Sequence, residues 1–228
     1  MRLRATNKLV AETWQRLVTG ATLGLIFWVA YFYFPPFVLT TELLLVLAYI
    51  LLFEWPRICP LDRVWCWALA PIYPVFPFVI MVCLNSVLFY RPVLFLAFVL
   101  APAFDTGSYI LGKAFGRRAL CVPISPDKTW EGFLGGVLAI GATLLFMIGR
   151  YASITGLVAL TIGVSVVALA GDLLESWLKR AAGVKDASQV LPGHGGLLDR
   201  FDSIIAVVLF CYLLRDYLAP LLARSIIA

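Results

Sequence analysis

The sequence predicts an all-α, polytopic transmembrane protein of about seven helices, with its N-terminus on the cytoplasmic side. Three observations predict it. Of 228 residues, 62% are hydrophobic and 14% charged, against roughly 45–50% and 25% in soluble domains, and the mean hydropathy is +0.96. The apolar residues fall in blocks near the ~20 residues that cross about 30 Å of hydrocarbon. The basic residues collect on one side of those blocks. No stretch is long or polar enough to form a separate soluble domain, so residues 1–228 read as one integral membrane domain.

The expected spans are Leu17–Phe34, Phe37–Phe53, Val64–Leu84, Pro92–Gly112, Gly132–Gly149, Ala152–Leu178 and Phe201–Leu222. The first has an apolar run too long for a signal-peptide core. Pro35-Pro36 follows it where a small-residue cleavage site would be needed, so it reads as a retained span. The third carries Pro71, Pro74 and Pro77 and is expected to bend, because neighbouring helices can satisfy the carbonyls that proline frees. Gly20-x-x-x-Gly24 and Gly132-x-x-x-Gly136 read as helix-packing faces.

Orientation follows from the cations. Arg2, Arg4, Lys8, Arg16, Arg57, Arg63, Lys113, Arg117, Arg118, Lys128, Lys179, Arg180, Lys185 and Arg200 share one side, fourteen of the eighteen lysines and arginines. Arg91, Arg150 and Arg224 lie on the other, and Arg215 falls within the last span. By the positive-inside rule, the first side is cytoplasmic. The net charge of +5 is thus mainly topology, and no solvated basic domain exists to bind nucleic acid. The cysteines Cys59, Cys66, Cys83, Cys121 and Cys211 show neither metal spacing nor a disulfide framework and are expected to be packing residues. The absence of an internal repeat weakens a transporter built from inverted halves.

Chemistry concentrates in two cytoplasmic loops. One runs through Ser176-Trp177-Leu178-Lys179-Arg180, Lys185-Asp186, Pro192-Gly193-His194-Gly195-Gly196 and Asp199-Arg200-Phe201-Asp202. Ionisable groups at a membrane boundary are costly and mark functional sites by default. At 100° per residue, Asp172, Ser176 and Lys179 share one helical stripe with Glu175 close by. Asp199 and Asp202 share a face at the start of the next helix, where carboxylates are also favoured simply as caps. Asp172, Asp199 and Asp202 together make a hard-oxygen site suited to Mg²⁺, which takes one or two carboxylates and completes its shell with water and phosphate. Gly195 and Gly196, with Lys179, Arg180, Lys185 and Arg200 around them, read as a phosphate cradle; a plain chain reversal is the alternative.

The second loop carries Asp105-Thr106-Gly107-Ser108-Tyr109, Gly112-Lys113 and Ile124-Ser125-Pro126-Asp127-Lys128-Thr129-Trp130-Glu131-Gly132. Gly107 to Lys113 fits a phosphate-binding loop only superficially. Ala114 replaces the needed Ser or Thr, and a membrane helix precedes it where a strand should.

In order and spacing the first run resembles the signature of the phosphatidate cytidylyltransferases (CDP-diacylglycerol synthases). The segment around Ser125–Gly132 resembles their Ser-Pro-x-Lys-Thr-x-Glu-Gly core. The resemblance covers about residues 101–205. It implies transfer of CMP from CTP to phosphatidate in phospholipid biosynthesis, with CTP and a bilayer lipid as partners and Mg²⁺ as cofactor. A second, monovalent cation and a homodimer are left open. The setting it suits is a bacterial inner membrane with the site facing the cytoplasm. The nucleophile, a lipid phosphate, is already ionised, so catalysis is expected to be positioning and charge neutralisation.

The roles implied are as follows. Asp172 and Asp199 ligate Mg²⁺, with Asp202 beside them. Lys179 and Arg180 neutralise the triphosphate or the leaving pyrophosphate. Ser176, Gly195 and Gly196 contact a phosphate, and Lys185 and Arg200 add charge. Ser125 and Lys128 bind lipid phosphate or cytidine. His194 orients its loop, and Asp105 is a further polar ligand. A CTP-dependent lipid kinase, or a cytidylyltransferase for another lipid phosphate, could use the same pocket. A transporter would spread its acids through the membrane depth, whereas these gather at one end.

Overall fold

The computed structural model describes residues 20–59, 64–188, 190 and 195–227, with the side chains of 64–66 and of 226–227 excepted. His194, Pro192, Gly193, Arg63 and the four N-terminal cations lie outside the described residues. The chain is a helical bundle with one small hairpin. Helix α1 is Gly20–Tyr33 and α2 is Pro36–Tyr49. A π-helical turn, Ile50–Glu54, then leads into α3, Trp55–Ile58. After α4 (Val64–Leu69), the chain leaves helical geometry at Tyr73 and resumes in α5, Phe76–Ser86. Next come α6 (Arg91–Phe115), the antiparallel strands β1 (Ala119–Cys121) and β2 (Ser125–Thr129), and α7 (Trp130–Ile148). Helices α8 (Ile154–Ala181), α9 (Leu198–Leu213) and α10 (Arg215–Ile227) complete it.

Five stretches among the described residues are long and apolar enough to cross a membrane: Pro36–Ile58, Trp67–Ser86, Arg91–Phe115, Trp130–Ile148 and Ile154–Ala181. The pair α9–α10 makes a sixth if counted as one, but it bends by 92°. The expected last span is therefore not one straight helix. Hydropathy sums over such a bend without registering it. The expected bend in the proline-rich third span is present at Tyr73.

Small residues set the closest approaches. Gly107 of α6 and Gly135 of α7 each lie against the other's backbone, leaving no room for a Cβ on either helix. Gly107 is thus a packing residue inside a continuous helix, not part of a phosphate loop. At the end of the bundle that holds Pro36, Ser86 and Arg91, polar side chains tie helices together. Asn85 donates to the Pro36 carbonyl at 2.7 Å, Arg91 Nη2 donates to the Tyr31 carbonyl at 2.6 Å, and Tyr90 donates to Asp216 at 2.6 Å.

Cys59 is disulfide-bonded, which corrects the expectation of five packing cysteines; Cys83, Cys121 and Cys211 are free. Spacing along the chain does not reveal which sulfurs are brought together. Cys59 itself is wholly buried where α3 ends.

Candidate active site

The opposite end of the bundle collects the charges. The C-terminal parts of α6 and α8, the start of α9 and the β1–β2 hairpin meet there. The hairpin is fixed at its base. Glu131 Oε2 accepts from the amides of Arg117 and Arg118 at 3.1 and 3.3 Å, and Trp130 N donates to the Arg118 carbonyl at 3.0 Å. Thr129 ends β2 and caps α7, its hydroxyl accepting from Gly132 N at 3.1 Å. Thr129, Glu131 and Gly132 therefore build the support, and Lys128 is the residue they present. Its ammonium is ion-paired with Asp172 of α8. Burial pushes the Lys128 ammonium below the ordinary lysine value, while the charges of Asp105, Asp202 and Glu175 pull the other way.

Along α8, Lys179 forms an ion pair with Glu175 one turn earlier. The same ammonium donates to Asp199 Oδ1 of α9 at 2.7 Å. Glu175 is wholly buried, and among the described residues neither of its carboxylate oxygens has a hydrogen-bond partner. Asp199 Oδ2 accepts from Gly196 N at 2.7 Å and Ala187 N at 3.2 Å. This carboxylate thus both holds backbone that precedes its own helix and clamps a lysine from the neighbouring one. Asp202 is buried, its Oδ1 accepting from Ser203 N at 2.6 Å. Ser203 in turn donates to Asp105 Oδ2 of α6 at 3.1 Å.

The remaining residues singled out by sequence are arranged around this cluster. Ser125 begins β2 and is half-buried, as is Ser176 on α8. Arg180 is exposed and reaches toward the Ile124 carbonyl at 3.5 Å. Arg200 is exposed on α9, its charge felt by Asp105 and Asp202. Lys185 lines an open cavity of about 580 Å³, within the usual range of ligand pockets, together with Arg57, Val184, Asp186 and Val190. Gly195 has φ +79°, and a Cβ there would lie 2.5 Å from Asp199 Oδ2. Both glycines let backbone approach a carboxylate of the chain itself.

For a metal, the donor chemistry fits. Hard carboxylate oxygens from two helices are what a hydrated dication takes, and one or two suffice. Glu175 adds two buried oxygens without hydrogen bonds among the described residues, Oε2 being ion-paired with Lys179. Asp172, Asp199 and Asp202 are nevertheless not gathered into one cluster. No group of three or more His, Cys, Asp or Glu among the described residues could hold an ion.

Sequence reasoning missed Glu54. It ends the π-helical turn after α2 and is wholly buried. Its oxygens accept from Ser188 Oγ at 2.6 Å, Leu197 N at 2.8 Å and Leu198 N at 2.7 Å. The available signal was a lone acid inside an apolar run, which by itself marks a functional position.

A profile of the cytidylyltransferase family matches residues 3–218, nearly the whole chain. The chain belongs to this family. Among curated relatives, it is 43% identical over 121 residues to the phosphatidate cytidylyltransferase of Haemophilus influenzae, covering 50% of the chain and 42% of the relative. The Bacillus subtilis protein of that name is 45% identical over 124 residues (53% and 46%). The Staphylococcus haemolyticus one is 45% identical over 115 residues (49% and 44%). The matched stretches thus span less than half of each of these relatives' length.

Proposed function

We propose that this chain transfers CMP from CTP to phosphatidate, giving CDP-diacylglycerol and pyrophosphate, a step of phospholipid biosynthesis. An oxygen of the lipid phosphate attacks the α-phosphorus of CTP. The bond to the β-phosphate breaks, and its electron pair leaves with pyrophosphate. One observation carries the reading. Lys128 and Lys179 are each held by a carboxylate at one end of the same bundle, between α6, α8 and α9. What opposes the reaction is repulsion between two polyanions, and fixed cations beside a lipid surface answer that need. The relatives' shared name points to the same reaction.

The site end is the cytoplasmic one under this reading, because Arg57, Lys113, Arg117, Arg118, Lys128, Lys179, Arg180, Lys185 and Arg200 all belong to it. The N-terminus is then cytoplasmic, the expected number of spans is about seven, and the membrane is a bacterial cell membrane. Diacylglycerol tails stay in the bilayer while the triphosphate arrives from the cytosol. Mg²⁺, which when bound neutralises triphosphate charge, would take one or two of the carboxylates Asp172, Asp199 and Asp202, with water and phosphate completing its shell. Lys179 and Arg180 take the triphosphate and the leaving group. Ser125 and Lys128 face the lipid phosphate or cytidine, while Ser176, Lys185, Gly195, Gly196, Arg200 and Asp105 shape the surrounding polar surface. His194 orients the loop. Among these, Asp199 fixes the rotamer of Lys179, and Thr129 with Glu131 fixes the position of Lys128.

In purified protein, pyrophosphate release should require CTP and phosphatidate together. Release of CDP instead would show γ-phosphate transfer and make the protein a lipid kinase. The pH profile tests Lys128. Its depressed value means its charge is lost below the ordinary lysine pKa of about 10.4. We expect kcat/KM to fall on the alkaline side before that pH. Between the two values the unfolded chain binds the extra proton, so folding gains stability with rising pH there, and the loss is not unfolding. Lys128→Arg, always charged, should keep activity flat through the same range. A limb that persists in Lys128→Arg would assign the titration elsewhere.

A further inference from the structure

We propose that Glu54 is a positioning residue for the active site, holding Ser188 and the start of α9 in the geometry that Asp199 needs. This rests on the cytidylyltransferase reading, and the test below separates the two. The first amides of a helix have no partner within it. In α9 no side chain of its own cap residue supplies one. Glu54, over 140 residues earlier in the chain, does so: Oε1 takes the Leu197 amide and Oε2 takes the Leu198 amide. A carboxylate is also favoured at the positive end of a helix dipole.

The third bond ties in the loop. Ser188 donates to Oε1, and Ala187 beside it donates to Asp199. Between the two carboxylates runs Gly196. Its amide donates to Asp199 Oδ2, while its Cα faces Glu54 so closely that a Cβ would lie 2.6 Å from Oε1. Residues 187–188 and 196–199 are thereby gripped from both sides. Glu54 holds the outer side, and Asp199 with Lys179 holds the inner. Glu54 itself cannot swing away, since it is wholly buried and Trp55 beside it is too. Glu54 touches no reacting group; it acts through Asp199 and hence Lys179. The first helical hairpin, which carries none of the recognisable motifs, so becomes part of the site.

Glu54→Gln tests this. A carboxamide has one acceptor oxygen, so at least one of the three donors faces an NH₂ group. Small misplacements of a catalytic group can cost on the order of 100-fold in rate. We expect kcat for CMP transfer to fall at least about tenfold, with KM for CTP and phosphatidate within about twofold of wild type. Glu54→Asp, which keeps both oxygens, should recover part of kcat. The backbone amides of residues 196–198 should exchange at least about tenfold faster in Glu54→Gln. Wild-type kcat in Glu54→Gln, or a loss confined to KM, would overturn the proposal. If wild type itself fails to transfer CMP, the functional reading falls. The exchange measurement then still decides whether Glu54 holds this segment, unchanged exchange overturning that. If Glu54→Gln does not accumulate, Ser188→Ala takes its place. It removes one donor of three, and an unchanged kcat there would be equally contrary.

Discussion

Asp199→Asn accumulates in the membrane as wild type does, and its kcat falls by about 100-fold or more. The expectation follows from what the carboxylate holds. Oδ1 accepts from the Lys179 ammonium at 2.7 Å, and Oδ2 accepts from the Gly196 amide at 2.7 Å and the Ala187 amide at 3.2 Å. Asparagine has the same shape, but one side becomes a donor. If its NH₂ faces the amides, the loop is repelled. If it faces Lys179, the clamp on the ammonium is lost and Glu175 alone remains beside it. Hydrogen bonds to charged groups contribute about 1.5–3 kcal/mol each, so either outcome moves the charge that the reaction relies on. The helix core of α9 is untouched, its buried face being Ile204, Ile205, Val207 and Val208. Comparing membrane abundance with turnover checks both halves. Full turnover in this variant would remove Asp199 from the site.

Gly196→Ala is the second large effect, and it acts through space alone. The new Cβ would lie 2.6 Å from Glu54 Oε1, 2.9 Å from its Cδ and 3.0 Å from Ser188 Oγ. A flexible exposed side chain would give way, but Glu54 is wholly buried and held by three donors. Overpacking of this kind costs about 1–3 kcal/mol. We expect a lowered melting temperature in detergent together with a fall in kcat. Gly24→Ala serves as the control: among the described residues a Cβ there meets nothing within 4 Å, contrary to the packing face expected of Gly20-x-x-x-Gly24, and both readouts should stay unchanged. Equal behaviour of the two alanine variants would mean the Glu54–Gly196 contact is not tight in the protein.

The site was legible in the sequence where its geometry is local. Helical spacing put Asp172, Glu175 and Lys179 on neighbouring positions of one helix. The Lys179–Glu175 pair is such an i, i+4 contact. Asp199 was legible as an acid at a helix start, though the amide it accepts is that of Gly196, which lies before the helix. Contacts between distant segments were not legible. Nothing in the order of residues shows Lys128 meeting Asp172, or Ser203 meeting Asp105. Glu54 was hidden for the same reason, its partners lying 134–144 residues away. The membrane class and the break among Pro71, Pro74 and Pro77 followed directly from hydropathy and proline chemistry. The 92° turn between α9 and α10 did not, because Arg215 at the bend interrupts an apolar run without a glycine or proline to mark it. The β1–β2 hairpin was not legible either, its strands of three and five residues being too short to show a clear alternation.

The central claim is that CMP, and not phosphate, moves to a lipid phosphate at this end of the bundle. Its most direct test is to give purified protein in detergent phosphatidate, Mg²⁺ and CTP labelled at the α-phosphate. In parallel, the same preparation receives CTP labelled at the γ-phosphate. The account predicts that α-label enters the lipid and γ-label leaves as pyrophosphate, both dependent on Asp199. Entry of γ-label into lipid, or no label in lipid from either nucleotide, would contradict it.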